Sequence, residues 1–323
     1  MSTQIWPIAG SFRIAHGRVH EIDVVRVEIN NGTYIGRGEC RPYPRYNETP
    51  ASVTAEIQAI SKQISSGLTT DELQALMSAG AARNAVDCAL WDLRAKQTNT
   101  PVWKLLNIPK PRPRTTAFTL SINNPERMAE DAVKAKQYPI LKLKINGIDG
   151  LKSCLAVLEA RPDAQLIIDA NEALLPEELI KFRAALSDAP VLMIEQPLHA
   201  DNFKKTGRLD SALPILCADE SLHTRADLPK LWGAGYRAVN VKLDKCGGLT
   251  EALALMRAAQ SMGFQIMSGC MVGTSLAMAP MLLLEGFADV IDMDGPLLLA
   301  KDVLNGLHYK GAIVHPPTPK LWG

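Results

Sequence analysis

The feature that most constrains the fold is a series of eight short apolar stretches that begins just after Thr116. Each stretch has the length of a buried strand, and a helical pattern separates it from the next one. This order predicts βα units, and eight of them favour a closed parallel barrel. An open doubly wound sheet is disfavoured because no GxGxxG turn follows the first strand. The predicted strands are residues 117–122, 141–145, 165–169, 191–195, 215–219, 239–243, 265–268 and 290–293.

The part of the chain before this series has a different rhythm. Asn31-Gly32 is a hairpin turn signal between two strand-like runs, and residues 81–96 carry the apolar side of a helix. Four prolines between residues 99 and 114 mark a domain boundary. We therefore predict an α/β fold with three parts. They are an N-terminal α+β capping domain (1–112), a modified TIM barrel of the (β/α)7β type (113–301), and a C-terminal tail (302–323) that packs back on the capping domain.

Composition and charge exclude several classes of function. The chain has 323 residues, 47% of them hydrophobic, and its 35 basic and 34 acidic residues give a net charge of +1. Nothing in this balance favours binding to nucleic acid or to a membrane. The six cysteines form no CxxC pair, which indicates reduced thiols and no zinc site. Without a signal-like N-terminus or a long apolar run, we expect a soluble cytoplasmic protein; its oligomeric state is left open, a homo-oligomer included.

Polar side chains end six of the predicted strands, at intervals of roughly one βα unit. The carboxyl ends of barrel strands meet on one rim, where the active sites of barrel enzymes lie. We therefore expect one site to contain Lys144, Asp169, Glu195, Asp219, Lys242, and Asp292 with Asp294.

Three of these residues, Asp169, Glu195 and Asp219, are acids on neighbouring buried strands. Without partners, their carboxylates would repel one another strongly. A hard divalent cation with oxygen ligands, such as Mg²⁺, would resolve the repulsion. The competing interpretation is that each acid caps a following helix, but the occurrence of all three in register favours the metal.

Lysines flank the three acids. Alternation along residues 141–145 places Lys142 and Lys144 on one face of a strand, and Lys242 follows the acids on a later strand. A lysine can act as a base once its pKa falls, which nearby cations favour. Two opposed lysines over a metal would take a proton from one face of a carbon and return one to the other, while the metal holds the enediolate. The competing interpretations are a solvent-exposed strand face for the first two lysines and a salt bridge to a nearby aspartate for Lys242.

These motifs resemble those of the enolase superfamily, in particular the dipeptide epimerases of its muconate-lactonising subgroup. The resemblance covers nearly the whole chain, including the N-terminal segments 38–40 and 81–85. Its barrel motifs are Lys142-Leu143-Lys144, Asp169-Ala170-Asn171, Glu195-Gln196-Pro197, Ala218-Asp219-Glu220-Ser221 and Lys242-Leu243-Asp244-Lys245.

The resemblance implies an isomerase with one Mg²⁺ per subunit that epimerises the C-terminal residue of a small dipeptide. L-Ala-D/L-Glu is the expected substrate, and recycling of cell-wall peptides the expected setting. Asp169, Glu195 and Asp219 would ligate Mg²⁺, and Lys144 and Lys242 would be the two acid/base catalysts.

The resemblance also implies the groups that bind substrate. Lys142 would neutralise the enediolate, while Asp292 and Asp294, placed on one face by the period of 2, would hold the free α-ammonium group. Arg13 and Arg18, in a loop expected near residues 12–19 after the first strand, are the candidate partners of the glutamate side chain, and Arg18 is favoured. Lys245 is expected to be peripheral.

One segment departs from the family pattern. Residues 268–274 contain no acid where relatives often carry one, so the substrate contacts expected near Ser268 are open. O-succinylbenzoate synthesis and N-acylamino-acid racemisation are the alternative reactions within the superfamily. A non-catalytic metal-binding scaffold protein is the alternative from another class.

Overall fold

The N-terminal part begins with a three-stranded antiparallel sheet in the order β1-β2-β3. The computed structural model describes residues 1–14, 17–205 and 213–323, with only the backbone at residues 11–14, 18 and 203–205. The strands are β1 (Ser2–Ile14), β2 (Gly17–Asn30) and β3 (Ile35–Cys40). The predicted turn joins β2 to β3, and the Asn31 side chain accepts hydrogen bonds from Thr33 N and Tyr34 N. The expected loop around residues 12–19 is wrong, because Phe12 pairs with Val19 and Ile14 pairs with Gly17 as parts of β1 and β2.

Five helices follow the sheet, and the longest of them packs directly on β3. It does so because β3 carries Gly36 and Gly38 on the contact face: a Cβ atom on Gly38 would lie 2.0 Å from the backbone oxygen of Ala85. Apolar residues of the sheet and the helices form a separate core here. The helices are α1 (Pro50–Ala59), α2 (Ser61–Ser65), α3 (Thr70–Leu76), α4 (Ala81–Thr98) and α5 (Val102–Leu105).

A single eight-stranded parallel sheet forms the second part, as the sequence predicts. A two-residue strand, β4 (Arg114–Thr115), precedes it. The eight strands are β5 (Phe118–Leu120), β6 (Ile140–Lys144), β7 (Gln165–Asp169), β8 (Val191–Glu195), β9 (Leu216–Ala218), β10 (Ala238–Val241), β11 (Gln265–Ser268) and β12 (Val290–Ile291). The helices between them are α6 (Pro125–Lys134), α7 (Gly150–Ala160), α8 (Pro176–Ala185), α9 (Leu228–Ala234), α10 (Leu243–Cys246), α11 (Leu249–Ser261) and α12 (Ser275–Leu282).

The sheet curls until its last strand meets its first. Thr116 forms a parallel bridge with Ile291 of β12, and Ala117 N donates to Ile291 O at 2.8 Å. A 3₁₀ helix, Gly295–Leu298, follows β12 in place of an eighth α-helix. The prediction of a modified (β/α)7β barrel with an N-terminal cap is therefore confirmed.

The register of the strands brings their polar ends to one level. Lys144 pairs with Asp169, and Asp169 pairs with Glu195. Side chains alternate along each strand, so Leu141 and Leu143 of β6 pack against the outer helices while the lysines point inward. The rim of the barrel thus gathers charged groups above an apolar interior layer.

The C-terminal part of the chain returns to the N-terminal part. The strand β13 (Tyr309–Lys310) pairs with β14 (Ile313–Val314), which in turn pairs with β4. Beyond them, Trp322 is 1% exposed, and its Nε1 donates to the backbone oxygens of Arg37 on β3 and Cys88 on α4. The backbone amide of Gly323 donates to Asp92.

In the described ranges, none of the helices combines the length and the apolar character needed to cross a membrane.

Candidate active site

A cleft lies between the carboxyl ends of the barrel strands and the N-terminal part of the chain. Val19 and Ile22 of β2, together with Arg41 and Tyr46 from the segment after β3, form part of its capping wall. Six of the residues predicted from the sequence line its barrel side: Lys142, Lys144, Asp219, Lys242, Asp292 and Asp294.

The three predicted metal ligands lie side by side beneath this cleft. Asp169 and Glu195 are 0% exposed and Asp219 is 2% exposed. Lys142 Nζ lies among them, 3.2 Å from Asp169 Oδ2 and 2.8 Å from Glu195 Oε2. Lys242 pairs with Asp219. The expectation that these acids have no partners is therefore wrong, and so is the helix-cap interpretation, because none of them is the N-cap of a described helix.

The acids nevertheless fit a hard cation. In the described ranges, no three acid, histidine or cysteine side chains form an open metal-ligand cluster, and the Lys142 ammonium lies between the acids. The donors are all carboxylate oxygens, and the buried Glu195 Oε2 has the Lys142 ammonium, 2.8 Å away, as its contact. Burial raises the pKa of Glu195 to about 8, and the nearby Asp169 contributes to the rise. An additional cation would therefore stabilise the charged form of Glu195.

The two predicted catalytic lysines lie on opposite sides of the cleft. They extend from β6 and from the end of β10, the second and sixth of eight strands in the closed sheet. Lys144 Nζ donates to Asp169 Oδ2 at 2.5 Å and to Asn171 Oδ1 at 3.2 Å. Lys242 Nζ donates to Asp219 Oδ2 at 2.6 Å. Burial alone would lower the pKa of Lys242, but Asp219 and Glu195 outweigh it and hold this pKa well above its usual value.

Lys245 is not peripheral, contrary to the expectation. It is 2% exposed, and its Nζ donates to the backbone oxygen and Oδ1 of Asp219 and, at 3.0 Å, to the backbone oxygen of Asn240. The short helix α10 starts directly after Lys242 and turns Lys245 back under the rim. Lys245 thus fixes one oxygen of Asp219, while Lys242 contacts the other.

Asp292 and Asp294 both line the cleft, but the prediction that they lie on one face of a strand is wrong. The strand ends at Ile291, so both lie in the following loop and not on one face of a strand. Asp292 Oδ2 lies 2.8 Å from Lys142 Nζ, and its Oδ1 is buried without a hydrogen-bond partner. Asp294 Oδ2 accepts the backbone amide of Thr119 at 2.6 Å. Burial raises the pKa of Asp294 to about 7, with Asp292 adding to the rise.

Ser268 and Arg18 are the other two residues that the sequence predicts to bind substrate. Ser268 does not line the cleft, because it pairs with Val241, whose side chain packs on the outer face of the barrel. Its Oγ is buried and has no hydrogen-bond partner. The side chain of Arg18 lies outside the described residues; its backbone pairs with Arg13 in the β1–β2 hairpin.

The sequence argument missed two amides that orient the acids. Asn240 Nδ2 donates to Glu195 Oε1 at 2.7 Å, and Gln196 Oε1 accepts the backbone amide of Asp219 at 2.9 Å. A signal for Asn240 was present, since it stands two residues before Lys242 on the same strand and therefore on the same face.

The segment after β3 is held over the cleft by an ion pair. Arg45 donates two hydrogen bonds to Glu172, at 2.9 Å and 2.7 Å, and Glu172 also accepts the backbone amide of Ala200. This ion pair joins residues 41–49, the capping segment between β3 and α1, to the loops after β7 and β8. It places the Tyr46 ring edge-on against His223, with 4.8 Å between the ring centroids.

A second contact between cap and barrel contains a buried acid. Glu39 of β3 is 1% exposed and accepts hydrogen bonds from Thr274 N at 3.0 Å and Thr274 Oγ1 at 2.8 Å. Burial raises the pKa of Glu39 from 4.5 to about 7, an effect that Thr274 opposes and Asp244 reinforces. The folded state therefore holds this proton more tightly than the unfolded state.

This difference predicts how stability depends on pH. The contribution of Glu39 to the free energy of unfolding is fully present below about pH 4.5 and is lost as the pH rises through about 7. Urea unfolding at pH 5 and pH 8 should show a fall in unfolding free energy that is about 2 kcal/mol smaller in Glu39→Gln than in the wild type. The exposed Glu159→Gln is the control and should follow the wild type. Equal falls in Glu39→Gln and the wild type would contradict the assignment.

Family models match both parts of the chain. "Enolase C-terminal domain-like" matches residues 125–318, and "Mandelate racemase / muconate lactonizing enzyme, N-terminal domain" matches residues 1–107. Among curated proteins, the chain is 44% identical to an L-Ala-D/L-Glu epimerase of Escherichia coli, over 97% of both chains. It is 42% identical to an N-acetyl-D-glutamate racemase of Pseudoalteromonas sp, over 93% of this chain and 95% of that protein.

Solved structures give the same result. An enolase family member from Agrobacterium tumefaciens with homology to dipeptide epimerases, with bound sodium and L-Ala-L-Glu, matches with a TM-score of 0.96 and 44% identity, over 100% of this chain and 98% of that one. A dipeptide epimerase from Enterococcus faecalis, complexed with Mg and L-Leu-L-Tyr, matches with a TM-score of 0.90 and 27% identity, over 98% and 95%. The expectation of an isomerase is confirmed, and the chain belongs to the enolase superfamily, in its mandelate racemase and muconate-lactonising group.

Proposed function

We propose that the protein is a Mg²⁺-dependent dipeptide epimerase that inverts the α-carbon of the C-terminal residue of L-Ala-D/L-Glu. The observation that carries this proposal is the pair Lys144 and Lys242, which face each other across one cleft. An α-carbon held between them presents one face to each lysine. Inversion at such a carbon needs one group that takes a proton and another, on the opposite face, that supplies one.

The substrate carboxylate belongs at the buried acids. Asp169, Glu195 and Asp219 would hold Mg²⁺, as their burial side by side and their all-oxygen donors support. When bound, the metal supplies positive charge beside the substrate carboxylate, which makes the neighbouring α-proton more acidic. Lys142, buried among the same acids, faces the negative charge that develops on the carboxylate oxygens as the proton leaves.

The free amine of the dipeptide belongs at the end of β12. Asp292 keeps a buried oxygen without a hydrogen-bond partner, and Asp294 lies beside it in the same wall of the cleft. An ammonium group would satisfy that oxygen and would favour the charged form of Asp294. Arg18 stays a prediction for the distal end of the substrate.

The proton transfers make different demands on the two lysines. A lysine must be neutral to accept the α-proton, and the opposite lysine must be protonated to supply the new one. Asp219 favours the ammonium form of Lys242, while Lys144 donates a hydrogen bond to Asp169. Cation binding at Asp219 would weaken its effect on Lys242, which couples the protonation of Lys242 to occupancy of the metal site.

The second candidate is racemisation of an N-acylated amino acid. It is favoured by the 42% identity to an N-acetyl-D-glutamate racemase and by the raised pKa of Asp294, about 7, because a protonated acid can donate a hydrogen bond to an acyl oxygen. Asp292, ion-paired with Lys142, argues for an amine instead, since its second oxygen accepts no hydrogen bond.

One experiment separates the two candidates. L-Ala-L-Glu and N-acetyl-L-glutamate are incubated separately with the protein and Mg²⁺ in D₂O, and ¹H NMR follows the α-proton of glutamate. We expect deuterium at this position and the appearance of L-Ala-D-Glu with the dipeptide, at a rate well above that with the acylated compound. Faster exchange with N-acetyl-L-glutamate would favour the second candidate, and no exchange with either would exclude both.

A further inference from the structure

Four cationic side chains line the cleft among the residues described, and of these only Arg41 has no carboxylate partner. Lys142, Lys144 and Lys242 each contact at least one of the buried acids. The guanidinium group of Arg41 has no carboxylate within 4.0 Å in the described ranges; its one side-chain hydrogen bond is from Nη1 to the backbone oxygen of Val272, at 3.4 Å. A guanidinium has five N–H donors, so most of its hydrogen-bonding capacity is unused.

The position of Arg41 is fixed by its backbone. Its amide donates to Asp244 Oδ1 at 3.1 Å, and the same oxygen accepts Asn84 Nδ2 at 2.9 Å. Asp244 therefore anchors the start of the capping segment to the barrel at the end of β10. The guanidinium carbon lies 5.6 Å from the centre of the Tyr43 ring. These contacts set Arg41 in the wall of the cleft at no further ordering cost when a ligand binds.

No carboxylate contacts the Arg41 guanidinium directly in the described ranges, although Asp244 and Asp23 act on its charge from a longer distance. The segment opposite it, residues 268–274, contains no acidic residue, and Cys270, Met271 and Val272 from this segment line the cleft. Burial lowers the pKa of Arg41, and Tyr43 and Asp244 oppose that effect only in part. A partly desolvated cation without a carboxylate in direct contact is costly, and an anionic ligand lowers that cost.

We propose that Arg41 binds the side-chain carboxylate of the C-terminal residue of the dipeptide and so makes an acidic residue the preferred substrate at that position. The inference rests on the proposed function, because it takes the α-carbon to lie between Lys144 and Lys242 and the free amine to lie at Asp292 and Asp294. With those points occupied, the side chain of the C-terminal residue is left to extend toward the capping wall, where Arg41 lies.

The test compares two dipeptides of the same shape, L-Ala-L-Glu and L-Ala-L-Gln, which differ in the charge of the side chain. Their dissociation constants are measured by isothermal titration calorimetry in Mg²⁺, and exchange of the α-proton is measured in D₂O. In Arg41→Met, the preference for glutamate over glutamine should fall on the order of 10- to 100-fold, because a charge-assisted pair is lost. Arg41→Lys should restore part of the preference, since it keeps the charge without the planar fork.

Arg94→Met is the matched control, since Arg94 is an exposed arginine on α4 of the N-terminal part and does not line the cleft. It should leave the ratio of the two dissociation constants unchanged. An unchanged ratio in Arg41→Met would overturn the inference, as would a loss of equal size for both dipeptides. If the wild type binds L-Ala-L-Glu without exchange, the proposed function fails while the ratio still decides the role of Arg41. If it binds neither dipeptide, both fail.

Discussion

Lys144→Ala and Lys242→Ala should each abolish epimerisation, but each variant should keep exchange of the α-proton for one of the two epimers. Loss of an acid/base group lowers rates by about 10²- to 10⁴-fold, and inversion needs both lysines. Each variant should still exchange the α-proton of the one epimer whose proton faces the remaining lysine. The measurement is ¹H NMR in D₂O, starting separately from L-Ala-L-Glu and L-Ala-D-Glu. The two variants should show opposite preferences.

The opposite preferences distinguish catalysis from a structural effect. A lysine that only neutralised Asp169 or Asp219 would affect both epimers equally when replaced. Lys152→Ala, at a side chain that is 75% exposed on α7, is the control and should behave as the wild type. Equal loss of exchange from both epimers in both variants would contradict the two-base assignment.

Glu195→Gln should remove the metal response and leave the fold intact. Because burial already raises the pKa of Glu195 to about 8, the protein tolerates an uncharged group at this position, and Asn240 can still donate to the amide oxygen. The metal-free melting temperature should therefore equal or exceed that of the wild type. The stabilisation by Mg²⁺ should disappear over concentrations that stabilise the wild type, and epimerisation should fall by about 10³-fold or more.

Asp294→Asn provides the contrast for this experiment. Asp294 lies on β12's side of the cleft and contacts Thr119, so its replacement should weaken dipeptide binding yet keep the Mg²⁺-dependent rise in melting temperature. A normal Mg²⁺ response in Glu195→Gln would show that this acid is not a ligand. A metal-free variant that melts well below the wild type would show that its charge is needed for folding.

The sequence predicts the barrel well because its strands are short, apolar and regularly spaced. The bounds of β7, β8 and β11 agree with the prediction, while β5, β9 and β12 are shorter than predicted. At these strands the paired residues end at Leu120, Ala218 and Ile291, before the predicted ends. Apolar pattern reports burial, and it does not report where the ladder of hydrogen bonds ends.

The site was predicted less completely, because pattern alone places a side chain on a strand but does not reveal its partners. The inward direction of Lys142 and Lys144 follows from alternation. The burial of Lys245 does not, since it depends on the one-turn helix α10 after β10. Arg41 lies in a loop rich in proline and tyrosine, where no period relates a residue to the barrel, and only the fold brings it to the cleft.

The hydrogen bonds of Trp322 also have a consequence for the order of events during synthesis. Its partners, Arg37 and Cys88, leave the ribosome 285 and 234 residues before it does. The gap between β3 and α4 at this point therefore stays open until the whole barrel has been translated. The N-terminal part stays incompletely packed until a residue that follows the barrel has been made, and such distant closure slows folding and prolongs exposure to chaperones and proteases.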